Sequence, residues 1–242
     1  MVSRVYVREH LRDDGFAIVH SVLGARQIED LVDAVSRISH NNGVRSRSSV
    51  YAVRNLLQLS PTINELAHSP ELRSIVEENL AKSAFPVRGT LFDKTAGANW
   101  LVPWHQDLTI CVSARIDVAG YGPWTMKAGA HHVQPPQTTL EDILSVRVHL
   151  DDCDESNGAL RVLPGTHTRG RLTPDQIVEQ RRSIGSISCV ARAGDVVLMR
   201  PLLIHASSPA SHASHRRVIH IDYASSQLAG GLQWSIAPRV VA

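Results

Sequence analysis

The chain has 242 residues, enough to bury a full core, and its 43% hydrophobic and 20% charged content belongs to a globular protein rather than a disordered one. A formal net charge of +2 and a pI near 8.6 are too mild for an electrostatic binder of nucleic acid. No apolar run approaches the roughly 18 residues of a membrane span, and Arg4, Arg8 and Glu9 occupy an N-terminus with no apolar h-region. A cytoplasmic protein without a membrane partner is expected.

Asp13-Asp14-Gly15 turns into Phe16–Val19, a short apolar strand. Gly24 precedes a helix in which Ile28, Leu31, Val32, Val35 and Ile38 recur at three- and four-residue spacing. Residues 39–49 are polar and contain glycine, so they read as a loop. Arg45 and Arg47 in that loop could meet an anionic substrate, although a solvated basic loop is the simpler reading. Ser60-Pro61 and Ser69-Pro70 each set a capping hydroxyl before a proline at the first helical position, predicting helices near 61–68 and 70–81. This first third, about 1–84, reads as helical support for a strand-rich core at about 85–225.

Val87–Lys94 is predicted as a strand with Thr90, Phe92 and Lys94 on one face. After a loop, Trp100–Asp107 reads as the next strand. Residues 117–137 hold Gly120, Gly122, Pro123, Gly129, Pro135 and Pro136, too much punctuation for regular structure. The segment 112–137 is therefore expected to be a substrate loop carrying Tyr121, Trp124 and Lys127. His131 and His132 are adjacent, and on an extended chain they point opposite ways, so contact with substrate suits them better than joint metal binding.

Leu144–Leu150 alternates, with Val146, Val148 and Leu150 on one face and Ser145, Arg147 and His149 on the other. If the apolar face packs on the helices, Arg147 and His149 look into whatever the sheet encloses. Asp151–Gly158 is turn-rich, Ala159–Leu163 is a strand stopped by Pro164-Gly165, and Thr173-Pro174 opens a short helix. Ala193-Gly194-Asp195 is a tight turn before the strand Val196–Arg200. In the last strand Arg216, Val218, His220 and Asp222 alternate with Arg217, Ile219, Ile221 and Tyr223. Short strands with Gly/Pro turns behind a helical region predict a single mainly β domain with flanking helices, a cupin-like jelly roll or double-stranded β-helix.

The chemistry gathers around His105-Gln106-Asp107. Residues i and i+2 of a strand share a face, so His105 and Asp107 can offer an imidazole nitrogen and a carboxylate oxygen to one point. With a distant third histidine, this makes the 2-His-1-carboxylate set of non-haem Fe(II) oxygenases. His205, placed at a strand end after Leu202-Leu203-Ile204, is the candidate, and Arg216 stands eleven residues further on. An arginine there can grip a dicarboxylate through a bidentate fork, which lysine does less well. The three cysteines (Cys111, Cys153 and Cys189) are far apart and form no C-x-x-C, so they read as reduced thiols.

The motifs W-H-Q-D (104–107), N-G-A-L-R-V-L-P-G-T-H (157–167), G-D (194–195) and H-A-S (205–207), followed by Arg216, resemble the phytanoyl-CoA dioxygenase family over roughly residues 10–225. The resemblance implies a double-stranded β-helix that uses Fe(II), 2-oxoglutarate as cosubstrate and O2. It makes His105, Asp107 and His205 the iron ligands, and Arg216 the partner of the distal carboxylate of 2-oxoglutarate. Ser207 matches a hydroxyl that assists that arginine, and Thr90 and Arg147 match positions lining the cosubstrate pocket. Arg217 would take the place of Arg216 if the alignment slipped by one residue. His167 and Asp195 read as structural, the latter as a turn residue.

The function so implied is hydroxylation of an unactivated C–H bond of a small-molecule metabolite, with release of succinate and CO2. Retention of Asp107 argues against halogenation, which needs that position vacated. The alternative is a cupin-like isomerase or an extradiol-type dioxygenase that does not use 2-oxoglutarate; Arg216 and Ser207 speak against it. The substrate is expected to be an anionic or amphipathic small molecule, handled by a monomer or homodimer. No phosphate cradle of the G-x-x-x-x-G-K-[ST] or G-x-G-x-x-G type is present.

Overall fold

A computed structural model describes residues 4–41, 52–95, 98–127, 129–211 and 215–236. Arg45 and Arg47 lie outside the described residues. The chain begins with α1 (Arg4–Asp13), β1 (Phe16–Val19), α2 (Ala25–Asn41), β2 (Ala52–Val53), α3 (Leu56–Leu59), α4 (Pro61–Ala67) and α5 (Pro70–Leu80). It continues through β3 (Phe85–Lys94), β4 (Val102–His105), β5 (Ile110–Val112), β6 (Trp124–Lys127), β7 (Ala130–Val133), α6 (Gln137–Glu141) and β8 (Ile143–His149). The remainder is β9 (Leu160–Val162), a 3-10 turn at Thr166–Arg169, α7 (Pro174–Ser183), β10 (Ile187–Cys189), β11 (Val196–Met199), β12 (His205–Ser207) and β13 (Arg216–Ala224).

Ten-residue β3 and nine-residue β13 form the spine of a large antiparallel sheet ordered β1-β11-β8-β13-β3-β2. Their alternation decides its two faces. On the outer face Leu91, Val146, Val148, Leu198, Ile219 and Ile221 are buried against Leu31, Val35, Ile63, Leu72 and Val76 of the helices. Each fully buried aliphatic side chain contributes about 1.5–3 kcal/mol. That apolar face anchors the sheet, which leaves the opposite face free to carry polar groups.

The second sheet, β10-β9-β12-β4, faces the inner side of the first and completes the jelly roll. Between them, at the β1/β11 end, Phe16, Val162, Val197, Met199 and Leu203 make a dry seam. A third sheet, β5-β7-β6, closes one end, where Trp234, Leu232 and Leu228 pack beneath it. Among the described residues no helix is long and apolar enough to cross a membrane.

Both serine caps form as expected: Ser60 Oγ accepts from Ile63 N and Ser69 Oγ from Leu72 N, with proline at the first helical position in each case. Three expectations are corrected. The N-terminal third is more than helical support, because β1 and β2 become the two edges of the large sheet. The predicted loop at 39–49 begins late, since α2 runs on to Asn41 with no breaker before Gly43. Residues 117–137 are not irregular throughout: β6 and β7 pair as a hairpin from Trp124↔Val133 to Lys127↔Ala130. Gly129, at φ +76°, sits in its turn, and the other glycines and prolines fall outside the strands.

Candidate active site

The inner face of the large sheet is a stack of polar cross-strand rows. Thr90, His220 and Arg147 face one another across β3, β13 and β8, and Arg216 lies opposite Lys94 at the far end of β13. The next row holds Arg88, Asp222 and Ser145. Strand period alone brings these groups together, because every second residue of three neighbouring strands points into the barrel.

The second sheet supplies the other wall. His205 and His105 are direct partners in the β12/β4 ladder, with ring centroids 4.2 Å apart. His205 opens β12 rather than ending a strand, since Leu202 and Leu203 form a turn closed by Leu203 N donating to Arg200 O. Asp107 likewise lies just beyond β4, held by its backbone N–H on Pro201 O at 2.9 Å. The predicted shared strand face is therefore replaced by a tethered loop, yet the carboxylate arrives at the same place.

Nδ1 of His105 meets Pro103 O at 2.8 Å and Nδ1 of His205 meets Leu203 O at 2.9 Å. A carbonyl only accepts, so each Nδ1 carries the proton and each Nε2 presents a lone pair. Those Nε2 atoms lie 3.8 Å and 3.7 Å from the two oxygens of Asp107. These separations are too long for hydrogen bonds, and the three donor atoms lie within 4.8 Å of one another. Two oriented imidazoles and a carboxylate aimed at a common point fit a divalent first-row metal with open positions. Burial presses the His205 imidazole down to about 4, so it stays in the neutral, ligating form. Burial pushes the Asp107 carboxyl upward, but His205, Arg88 and His105 outweigh it and hold it below the usual range.

Gln106 turns the other way and acts as a clamp. Its Nε2 donates to Leu202 O (2.7 Å) and Gly170 O (2.8 Å), and its Oε1 accepts from Leu172 N (2.8 Å). It ties the loop between the first two donors to the turn that precedes the third. Gln106→Leu leaves those buried partners unsatisfied, and a loss of about 2–4 kcal/mol in urea unfolding is expected, together with weaker metal binding by titration. A stability loss with unchanged metal affinity would show that the clamp does not position the donors.

Residues 157–167 do similar work. Leu163 N donates to Ile204 O, Ile204 N donates to Thr166 Oγ1 (3.0 Å), and Ser207 Oγ donates to Gly158 O (2.8 Å), which fixes β12 on both sides. His167 bonds Arg12 O and stays away from the donors, and Asp195 accepts from Arg192 N and Ser21 N, so both are structural as expected.

Behind the donors the floor is cationic. Arg216 is 2% exposed and its Nε has no hydrogen-bond partner; Arg147 Nε is equally orphaned. Arg217, by contrast, points out to Asp151 (2.8 and 2.6 Å), which settles the register in favour of Arg216 as the inward arginine. Ser207 is not placed on Arg216: its hydroxyl accepts from Lys94 Nζ at 2.7 Å. Lys94 is fully buried, also bonds the Ser208 carbonyl, and is pulled down to about 8 by burial and by Arg216. A buried guanidinium without an anion is costly, and two of them beside a lysine fit a dicarboxylate such as 2-oxoglutarate.

Lys94, His220 and Asp222 were not singled out from sequence, although each shares a strand face with a residue that was. His220 Nε2 bonds Asp222 Oδ1 (2.9 Å), its Nδ1 meets Arg147 Nη1 (3.1 Å), and Asp222 also accepts from Ser145 Oγ (2.6 Å) and Arg88. This relay aligns Arg147 and holds Arg88 near Asp107. Burial raises the Asp222 carboxyl, but Arg88 and His220 dominate and keep it ionised far below the ordinary carboxylate range. All three cysteines are buried and unpaired.

Two buried histidines near the site are kept neutral. Burial, with Arg147 and Arg216, takes His149 down to about 3; burial, with Arg88, Lys127 and Arg54, takes His132 down to about 4. Unfolded histidine titrates near 6.5, so below that pH the unfolded chain binds protons that the folded one refuses. Stability is expected to fall as pH drops from about 6.5 toward 4, by on the order of 1–2 kcal/mol per histidine at pH 5. Urea midpoints at pH 7 and pH 5, compared with His149→Gln, check this; an equal drop in the variant would refute the assignment.

Triad and arginines open onto one cavity of about 220 Å3. His105, Asp107, His205, Arg216, Ser207, Thr90 and Arg147 all line it. From the segment expected to be a substrate loop, Lys127 and His132 reach the cavity, while Tyr121 and Trp124 pack into the apolar cluster beneath.

A jelly roll with this donor set at its open end, above buried arginines, defines a class: the non-haem Fe(II)/2-oxoglutarate-dependent dioxygenases. The chain belongs to the phytanoyl-CoA dioxygenase (PhyH) family, whose pattern matches residues 11–218. It is 23% identical over 244 aligned residues to L-proline trans-4-hydroxylase of Streptomyces griseoviridis, covering 88% of this chain and 82% of that one. The crystal structure of AviO1 from Streptomyces viridochromogenes Tue57 superposes with a TM-score of 0.69 at 26% identity, covering 93% of this chain and 96% of that one. SnoK, a non-haem α-ketoglutarate-dependent carbocyclase of nogalamycin biosynthesis, shares the fold with a TM-score of 0.73 at 16% identity, over 92% of this chain and 84% of that one.

Proposed function

We propose that His105, Asp107 and His205 hold the iron, that Arg216 binds the distal carboxylate of 2-oxoglutarate, and that the enzyme hydroxylates a C–H bond of a small anionic or amphipathic molecule. The observation that carries this reading is the pairing of a converging His/Asp/His set with an inward arginine whose Nε has no partner. Iron with its cosubstrate supplies the oxidising chemistry, in which O2 is consumed and 2-oxoglutarate leaves as succinate and CO2.

The chain's own contribution is placement. The carbonyls of Pro103 and Leu203 lock both imidazoles with Nε2 inward. Asp107 supplies the single anionic donor, and Gln106 keeps its loop against the 170–172 segment. Arg216 and Arg147 neutralise the cosubstrate, Arg147 being aimed by His220 and stacked over Phe92 at 5.6 Å. Thr90, next to His220 in the ladder, adds a hydroxyl to the same wall. Val102, Phe92 and Leu160 give the cavity its apolar share and exclude water from the reacting centre.

The test is anaerobic: Fe(II) and 2-oxoglutarate are added to purified protein, and the visible charge-transfer band of their chelate is sought. A band, followed in air by succinate release that rises with a substrate and by a hydroxylated product, supports the proposal. No band in folded, iron-loaded protein would sink it.

A further inference from the structure

We propose that Arg54, Lys127 and His132 form the subsite for an anionic group of the substrate, a carboxylate or a phosphoryl group, in the cavity that also carries the triad. This rests on the reading of the triad as the reacting centre and names what the substrate must present to it.

Three separate elements converge here. Arg54 follows β2, whose Val53 pairs with Leu91 of β3; Lys127 ends β6; His132 lies in β7 between Cys111 and Thr125. All three line the same cavity as His105, Asp107 and His205.

The charge balance of that cavity selects them. Its lining carries Arg54, Arg88, Lys127, Arg147 and Arg216, but Asp107 is its one carboxylate among the described residues. Arg88 is neutralised by Asp222 behind the wall, and Arg147 is engaged by His220. Arg216 answers to the cosubstrate. Arg54 and Lys127 remain, with no hydrogen bond or ion pair to any described residue.

His132 makes this more than two solvated cations. It is 4% exposed, and its Nδ1 is buried without a hydrogen-bond partner. With Nδ1 sealed from solvent, Nε2 is the ring nitrogen left to meet a ligand in the cavity that His132 lines. Burial first, then Arg88, Lys127 and Arg54, keep the ring neutral, so its Nε2 offers one N–H to an oxyanion while the two cations supply the charge. A neutral substrate would leave both cations and the imidazole unmatched. An anionic one satisfies all three and fixes which of its C–H bonds faces the triad.

The experiment uses protein saturated with Zn(II), standing in for iron so that nothing turns over, and with 2-oxoglutarate, whose binding is measured by calorimetry. Trifluoroacetate, monofluorophosphate and the neutral trifluoroacetamide are then titrated and followed by 19F line broadening. At least one anion is expected to bind, more than tenfold tighter than the amide. Arg54→Gln/Lys127→Gln, both at exposed positions, should weaken that anion at least tenfold while 2-oxoglutarate affinity stays within twofold. The tighter anion identifies the group as carboxylate or phosphoryl. Equal binding of the amide, or anion binding that survives the double substitution, would overturn the subsite. Absent 2-oxoglutarate heat in the wild type would instead count against the cosubstrate reading, and the subsite would still stand if anion binding depended on Arg54 and Lys127.

Discussion

His205→Ala is expected to abolish metal binding and succinate formation while leaving the protein folded. Of the three donors His205 is the most buried, at 5% exposure, and its Nε2 has no protein hydrogen-bond partner to replace. Losing only the outer partners of a metal ligand costs about 10–100-fold in affinity, so loss of the ligand itself should cost on the order of 10³-fold or more. The side chain also fills space between the sheets, and its removal leaves a small void worth about 1–3 kcal/mol. A thermal melt separates that from collapse, and Asp107→Ala, at a less buried position, gives the same functional loss with less damage. A folded His205→Ala protein that still bound Fe(II) with wild-type affinity would remove His205 from the site.

The second large effect belongs to Arg216→Met. Truncating one member of a buried, charge-assisted pair costs about 2–5 kcal/mol, so the dissociation constant for 2-oxoglutarate should rise about 100-fold or more. Stability should move the other way or stay unchanged. The guanidinium lies beside Lys94 with an unpartnered Nε, and exchanging an uncompensated buried charge for an apolar side chain of similar length is neutral or stabilising. Calorimetry with 2-oxoglutarate and urea unfolding of the cosubstrate-free protein measure the two effects. Affinity within threefold of wild type would pass the role to Arg147. A stability loss of several kcal/mol would make Arg216 a structural residue.

Much of this was legible because strand period is a local property. The alternation in 144–150 and 216–223 by itself sorted Arg147, His149, Arg216 and His220 from their apolar neighbours, and the ladder bears out that sorting. The serine-proline helix starts were equally readable, since a cap is satisfied within its own turn. The β6/β7 hairpin was missed because glycine and proline mark turns without saying whether strands lie between them. Helix α1 was missed as well: Val7 and Leu11 are its buried positions, four residues apart, too short a stripe to stand out.

By its own order of residues the chain determined the chemistry on offer: two histidines, a carboxylate and an arginine at spacings that recur in one enzyme family, on strands whose inward faces can be counted. Tertiary structure decided who partners whom. That His205 stands opposite His105, that Ser207 serves Lys94 rather than Arg216, and that Arg216 and His132 keep unsatisfied nitrogens all depend on sheet register. So does the meeting of Arg54, Lys127 and His132 in one cavity. Register is set by packing between residues a hundred positions apart, and no local pattern encodes it.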